Sequence, residues 1–225
     1  NYELLKDDGT VNGSSGFVYW IPIGFYSNYS GTFDGQNHTI SNVNIQAGNT
    51  AYVAFFGNIS GATIKDLTLH NLTVVGGSYT AGLVGFTRNS TITNCAVTGN
   101  ISITGTSHVG GIHAGGVVSI TGCEVNGTGT ISGTIDVGAI SGLISEGSTT
   151  VSGNSINGVT VQGDGLVGGM IGRAIVGSAG LEVTGNTMTN TTVVSTGNSY
   201  KQNGLALGSL QAANGTVTFA NTINN

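Results

Sequence analysis

The sequence predicts an all-β protein that winds as a right-handed, single-stranded parallel β-helix (a solenoid) of six to seven coils, each about thirty residues long. Three observations predict this fold class. The composition favours extended backbone and turns over helix, a four-residue turn recurs at coil-length spacing, and apolar residues align in columns between successive repeats.

The composition contains 40 glycines, a single proline and only 7 % charged residues. Val, Ile and Thr favour strands because their branched Cβ restricts χ1, and Gly permits the positive φ of sharp turns. A formal net charge of −5 with five Lys and Arg leaves no basic cluster for a phosphate backbone, so we expect no nucleic-acid partner. No apolar run approaches the ~20 residues that a membrane span needs, so we expect no membrane insertion by this segment.

The recurring turn consists of a small residue, two apolar residues and Gly or Ala. It ends at Gly57, Gly85, Ala114, Gly142 and Gly172, with a weaker copy at Gly208, at spacings of 28, 29, 28, 30 and 36. Each of the first five copies is followed by a strand signature such as TIKDLTL, and most units close with a third short strand. Three short strands without a helix between them predict a coil whose backbone pairs with the coils above and below.

Two aligned columns are entirely apolar and are predicted to line the interior. They are Ile40, Ile64, Ile92, Ile120, Val151 and Val183, and Ile45, Leu69, Val97, Val125, Ile156 and Met188. Between them lies the column Val43, Leu67, Cys95, Cys123, Asn154, Asn186 and Asn221. We expect a bend there, with the stacked Asn amides hydrogen-bonded along the axis.

The repeats divide the chain into two parts. Residues 1–30 carry no repeat and are predicted to cap the apolar core and the unpaired edge of the first coil. Residues 31–225 form the predicted repeat domain, which ends inside a coil signature and is therefore expected to belong to a longer protein.

The stretch AGLVGFTRNSTITNCAVTGNI resembles the GLUG motif of immunoglobulin A protease repeat regions and large bacterial surface proteins. WIPIG, GTFDGQNHTISNV and FFGNISGATIKDLTL resemble the start of such arrays, and the resemblance covers about residues 19–200 and weakens after Met188. It implies an extracellular or cell-surface location and an attachment or spacer role. No catalytic residue carries over, because the motif itself is structural.

Parallel β-helices also include polysaccharide lyases and hydrolases, which makes an enzyme the rival interpretation. Aligned by column, the acidic residues mostly stand alone, which argues against a carboxylate pair for hydrolysis. One column, Tyr79, His108 and Asp136, offers a phenol, a base and an acid on adjacent coils. A polar surface strip at a turn is the preferred interpretation, and a binding or catalytic site is the weaker one. A lyase would further need a cation near the substrate carboxylate, and Arg88, Arg173 and Lys65 are not expected beside the column.

The remaining candidates have structural interpretations. His113 aligns with apolar residues and Ser141, which predicts a buried histidine bonded to Ser141 or backbone, and the four histidines lack metal-ligand spacing. Cys95 and Cys123 share a column on consecutive coils, so a disulfide and stacked free thiols both remain open.

An outward array of hydroxyls leaves ice binding as a remote alternative. Its members are Thr39, Ser41, Thr91, Thr93, Ser119, Thr121, Thr150 and Ser152. Lys65 and Glu182 interrupt this array, and a charge disrupts an ordered water layer.

The sequence therefore predicts a non-enzymatic extracellular module, an adhesin or a spacer that presents other domains. The expected partner is a host or bacterial surface glycan or protein. No cofactor or metal is expected.

Overall fold

A computed structural model describes residues 20–197, 202–212 and 215–224. Every strand pairing in this part of the chain is parallel, and none of its residues forms a helix. The strands are β1 Thr32–Gln46, β2 Phe56–Ser60, β3 Thr63–Val75, β4 Thr80–Ala81, β5 Val84–Thr93, β6 Ala96–Thr104, β7 Ser107–Gly110, β8 His113–Thr121, β9 Glu124–Gly133, β10 Ile135–Gly138, β11 Ser141–Ile144, β12 Thr149–Ser152, β13 Ser155–Asn157, β14 Thr160–Gly163, β15 Leu166–Gly168, β16 Ile171–Val176, β17 Leu181–Thr189, β18 Thr192–Ser195, β19 Gln202–Gly204, β20 Leu207–Ala212 and β21 Val217–Asn224.

The strands wind into a parallel β-solenoid of about six turns, which confirms the predicted fold class. A five-stranded sheet contains β4, β7, β10, β15 and β19, and the other strands join a 16-stranded sheet. One coil consists of a short strand of the smaller sheet, a sharp corner, and two longer strands of the larger sheet. β7, β8 and β9 form such a coil.

The predicted interior columns are confirmed from the second coil onward. Ile92 pairs with Ile64 and with Ile120, and Val97 pairs with Leu69 and with Val125. All of these side chains are fully buried. The columns form one continuous apolar core inside the solenoid.

The predicted bend between the two columns contains a ladder of Asn amides. Asn154 Nδ2 donates to Asn186 Oδ1 at 2.8 Å, and Asn186 Nδ2 donates to Asn221 Oδ1 at 2.7 Å. The Asn154 and Asn186 side chains are buried, and each also donates to a backbone carbonyl. The ladder therefore satisfies polar groups that the bend would otherwise leave unpaired in the core.

The predicted register of residues 39–45 is wrong. Ile40 pairs with Leu69 and not with Ile64, whose partner is Phe33. Val43 and Ile45 likewise pair with Leu72 and Val74. The reason is coil length. The predicted alignment places Ile40 and Ile64 closer together in sequence than any later pair of the column, whereas the observed partners are separated by a full coil, like those of later coils.

Of the predicted cap, residues 1–19 lie outside the described residues. Residues 20–30 pair with β2 through the parallel bridges Ile23–Phe56 and Tyr29–Ile59. Trp20 stacks on Phe55 with ring centroids 4.4 Å apart, and its indole Nε1 donates to the Phe55 carbonyl at 2.9 Å. This part of the chain thus adds backbone pairing and aromatic packing to the first coil.

Candidate functional site

The predicted column of Tyr79, His108 and Asp136 comes together at the corner between the two sheets. Thr80 pairs with Val109, and Val109 with Val137, so the preceding residues lie on consecutive coils. The Tyr79 and His108 ring centroids are 4.6 Å apart, and His108 Nδ1 lies 2.7 Å from Asp136 Oδ2.

All members of this column have left-handed backbone conformation. The φ angles are +58° at Tyr79, +54° at His108 and +57° at Asp136, and Tyr52, one coil earlier, has +62°. Non-glycine residues adopt this region at a cost, so its repetition on four coils shows that the corner imposes it. Tyr52 therefore belongs to the same column.

The corner is tight because glycines allow its two arms to touch. A Cβ at Gly142 would lie 2.4 Å from the backbone nitrogen of Val109, and one at Gly172 would lie equally close to that of Val137. This approach gives the glycine of the recurring turn a physical role. It also places the residues that follow each turn glycine against the column that contains Tyr79, His108 and Asp136.

Arg173 joins the column, which corrects the expectation that no cation lies beside it. Its Nη2 atom lies 2.8 Å from Asp136 Oδ2. Column alignment of the sequence places Arg173 beyond the glycine turn and two coils from His108. The long side chain spans one coil, and the tight corner returns residue 173 over residue 136.

Asp136 is a buried charge in this arrangement. Its side chain is fully buried, whereas the side chains of His108 and Arg173 are 16 % and 28 % exposed. Both contacts to Oδ2 have ion-pair distances without hydrogen-bond angles, and Oδ1 has no hydrogen-bond partner among the described residues. A buried carboxylate in such a site depends on a cationic partner, and Arg173 supplies one.

The other end of the column is aromatic. Tyr52 stacks on Tyr79 with centroids 5.1 Å apart, and Phe86 meets both rings edge-on at 5.7 and 5.2 Å. The Arg88 guanidinium carbon lies 5.0 Å from the Phe86 centroid. We call the set Tyr52, Tyr79, Phe86, Arg88, His108, Asp136 and Arg173 the seam.

Sequence reasoning missed four members of the seam. Tyr52 could have been found, because its separation from Tyr79 along the chain is close to one coil length. Phe86, Arg88 and Arg173 follow the turn glycines, and only the tight corner places them against the preceding column. Arg88 contacts the Phe86 ring, which in turn packs against Tyr79.

The local packing holds Tyr79 firmly. A Cβ at Gly115 would lie 2.8 Å from the Tyr79 ring, so the ring rests on that backbone. Burial, followed by the neighbouring Tyr52, raises the pKa of Tyr79 above its ordinary value. The phenol therefore stays protonated near neutral pH.

His113 is a core residue, as predicted. It is fully buried, with Nδ1 2.9 Å from Ser141 Oγ and Nε2 3.0 Å from Thr87 Oγ1. Burial lowers its pKa to about 3. The imidazole is therefore neutral and bridges two hydroxyls inside the solenoid.

The two cysteines are stacked free thiols, one of the two alternatives left open. The Cys95 thiol lies 3.4 Å from the Thr93 carbonyl and the Cys123 thiol 3.6 Å from that of Thr121. Both side chains are buried.

Lys65 lies elsewhere, paired with Asp34 at 2.7 Å. It interrupts the hydroxyl array, as expected, since it is in register with Thr93, and Glu182 is in register with Thr150. Thr39 and Ser41 do not belong to this array, because they pair with Thr68 and His70. The array is therefore shorter than predicted.

The seam provides aromatic edges, two guanidinium groups and an imidazole at a surface, but no accessible carboxylate pair. In the described part of the chain, no group of three or more His, Cys, Asp or Glu side chains could hold a metal ion. No helix there is both long and apolar enough to cross a bilayer.

Comparison with curated proteins finds a partial match to halomucin of Haloquadratum walsbyi, 39 % identical over 85 residues. The match covers 37 % of this chain, and the chain spans about 1 % of halomucin. No family model matches the chain, and no solved structure matches it. The resemblance to the GLUG motif thus rests on the residues quoted above.

Proposed function

We propose that the chain is a non-enzymatic module of an extracellular or cell-surface protein, an adhesin or a spacer that presents other domains. The partial match to halomucin and the GLUG resemblance support the location. The solenoid formed by the described residues supports the mechanical role, because each coil is held to its neighbours by backbone hydrogen bonds along the axis.

The observation that carries the non-enzymatic proposal is the burial of Asp136. It is the only carboxylate of the seam, it is fully buried, and it is engaged by Arg173 and His108. An acid or base must reach the proton that it transfers. Asp136 serves to hold two neighbouring side chains, and the partly exposed groups around it are suited to binding.

A polysaccharide lyase is the second candidate, and Arg173 is the observation that favours it. Elimination needs a base together with a cation near the substrate carboxylate. His108 and the two arginines supply these group types on one strip. Against this function, the raised pKa of Tyr79 keeps the phenol protonated, so that little phenolate is available as a base.

A glycan array and a panel of host-matrix proteins test the proposal, using the wild-type chain and two single-charge variants, Arg88→Gln in the seam and Lys65→Gln outside it. Selective binding to one class of polymer that Arg88→Gln weakens supports an adhesin. Absence of binding to every probe supports a spacer. Conversion of any probe by the purified chain would overturn the proposal in favour of the enzyme.

A further inference from the structure

We propose that the seam binds carboxylate-bearing sugar units of an acidic glycan; this inference rests on the proposed function and names the ligand class and its site. The aromatic edges would contact the apolar faces of the sugar rings. The arginines would hold the carboxylates.

The aromatic part of the seam is exposed yet rigid. Tyr52 is 36 % exposed, and Phe86 and Tyr79 are half-buried. Mutual packing of the three rings and the backbone of Gly115 fixes their positions before any ligand arrives. Preorganised aromatic side chains bind at low entropic cost, because little freedom is lost on association.

The charge of the seam selects an anion. The whole chain has a formal net charge of −5, yet both of its arginines lie in the seam. The seam's only carboxylate, Asp136, is buried, so the charge that the seam presents to solvent is positive. Among the described residues, the remaining lysine, Lys65, lies outside the seam and is paired with Asp34.

The chemistry of the arginine side chain favours a carboxylate. Its planar fork of donors matches the two oxygens of a carboxylate, and such charge-assisted pairs are the stronger hydrogen bonds. Arg88 is exposed, its guanidinium contacts the Phe86 ring, and it has no acidic partner among the described residues. It can therefore receive a ligand carboxylate without breaking an existing ion pair.

The positions of the two arginines require more than one sugar. Arg88 lies in β5 and Arg173 in β16, and β8 and β11 separate these strands in the larger sheet. Three strand spacings amount to about 14 Å. A ligand that spans the seam is thus an oligosaccharide aligned with the solenoid axis.

The test is isothermal titration with oligogalacturonate, its carboxyl-reduced counterpart and monomeric galacturonate, using the wild-type chain, Arg88→Gln and Lys65→Gln. We expect the acidic oligosaccharide to bind more tightly than the other two sugars. Arg88→Gln should weaken binding about tenfold, because it removes a hydrogen bond to a charged group. Lys65→Gln removes the same charge elsewhere and should leave affinity unchanged.

Equal binding of the acidic and the reduced oligosaccharide, or equal loss in both variants, would overturn the inference and leave the proposed module intact. Absence of binding to all three sugars would also overturn it and leave the spacer role. Cleavage of oligogalacturonate during the titration would instead overturn the proposed function. Circular dichroism and melting of the two variants establish that each is folded.

Discussion

Asp136 Oδ2 and Arg173 Nη2 lie 2.8 Å apart on neighbouring coils, and this contact joins two positions that the sequence places on opposite sides of a turn. The columns around it offer a natural comparison. Leu143 precedes Arg173 in its column, so leucine is accommodated at the equivalent position of the adjacent coil.

The first prediction concerns this pair. Arg173→Leu should lower the free energy of unfolding by about 3 kcal/mol, because it leaves a buried carboxylate without its guanidinium. The double variant Asp136→Asn, Arg173→Leu should recover most of that loss, because it removes the buried charge and asparagine tolerates the left-handed φ of position 136. Urea unfolding of the three proteins measures both values. A double variant no more stable than the single one would show that the carboxylate does not depend on Arg173.

The second prediction tests the register of the core. Ile92→Asp should abolish folding, because the charge would be buried without a partner between two coils. Thr93→Asp should change stability little, since Thr93 faces outward and its register partner is Lys65. Circular dichroism and urea unfolding compare the two variants. Equal tolerance at both positions would mean that the register is shifted by one residue.

The third prediction concerns the Asn ladder. Asn186→Ala removes amide bonds to Asn154 and Asn221 and leaves the Val151 carbonyl without its donor. The free energy of unfolding should fall by about 3 kcal/mol, the cost of unsatisfied buried polar groups. Asn126→Ala, in an exposed pair with Asn157, is the matched control and should cost within about 0.5 kcal/mol. Similar losses in both variants would contradict a special role for the buried ladder.

The fourth prediction is a pH dependence that originates at His113. Its pKa is about 3 in the folded chain, below the unfolded value of 6.5, so the unfolded state binds the extra proton between these values. The free energy of unfolding should reach its full value above pH 6.5 and fall by up to roughly 5 kcal/mol as the pH drops toward 3.

His113→Gln should remove much of this slope, whereas His38→Gln, at an exposed position, should retain it. Urea midpoints measured between pH 4 and 8 give the slopes. A slope that is unchanged in His113→Gln would place the titrating group elsewhere.

Much of the fold could be predicted from particular residues. Ile92, Ile120 and Val151 occupy one register because the coil length is nearly constant there, and their burial follows from the apolar column. The buried amides of Asn154 and Asn186 were predictable for the same reason. Contacts between equivalent positions can be predicted from the sequence, because each coil aligns with the next.

The errors arose where repetition fails. The first coil has a register irregularity between Asp34 and His38, so an alignment of similar residues there implies a spacing too short for a coil. Arg173 was misplaced because column alignment reports neighbours along the axis and not contacts across a corner. Gly172 approaches the Val137 backbone closely and so brings Arg173 to Asp136, but aligning the columns does not reveal this approach.

The proposal that the chain is non-enzymatic is tested by a turnover assay on purified protein. Acidic and neutral polysaccharides are incubated with the chain, with and without calcium, and new unsaturated and reducing ends are measured. We expect no release of either product, because the seam's carboxylate is buried and its phenol stays protonated. Release of product by the wild-type chain that disappears in His108→Ala or Asp136→Asn would contradict it.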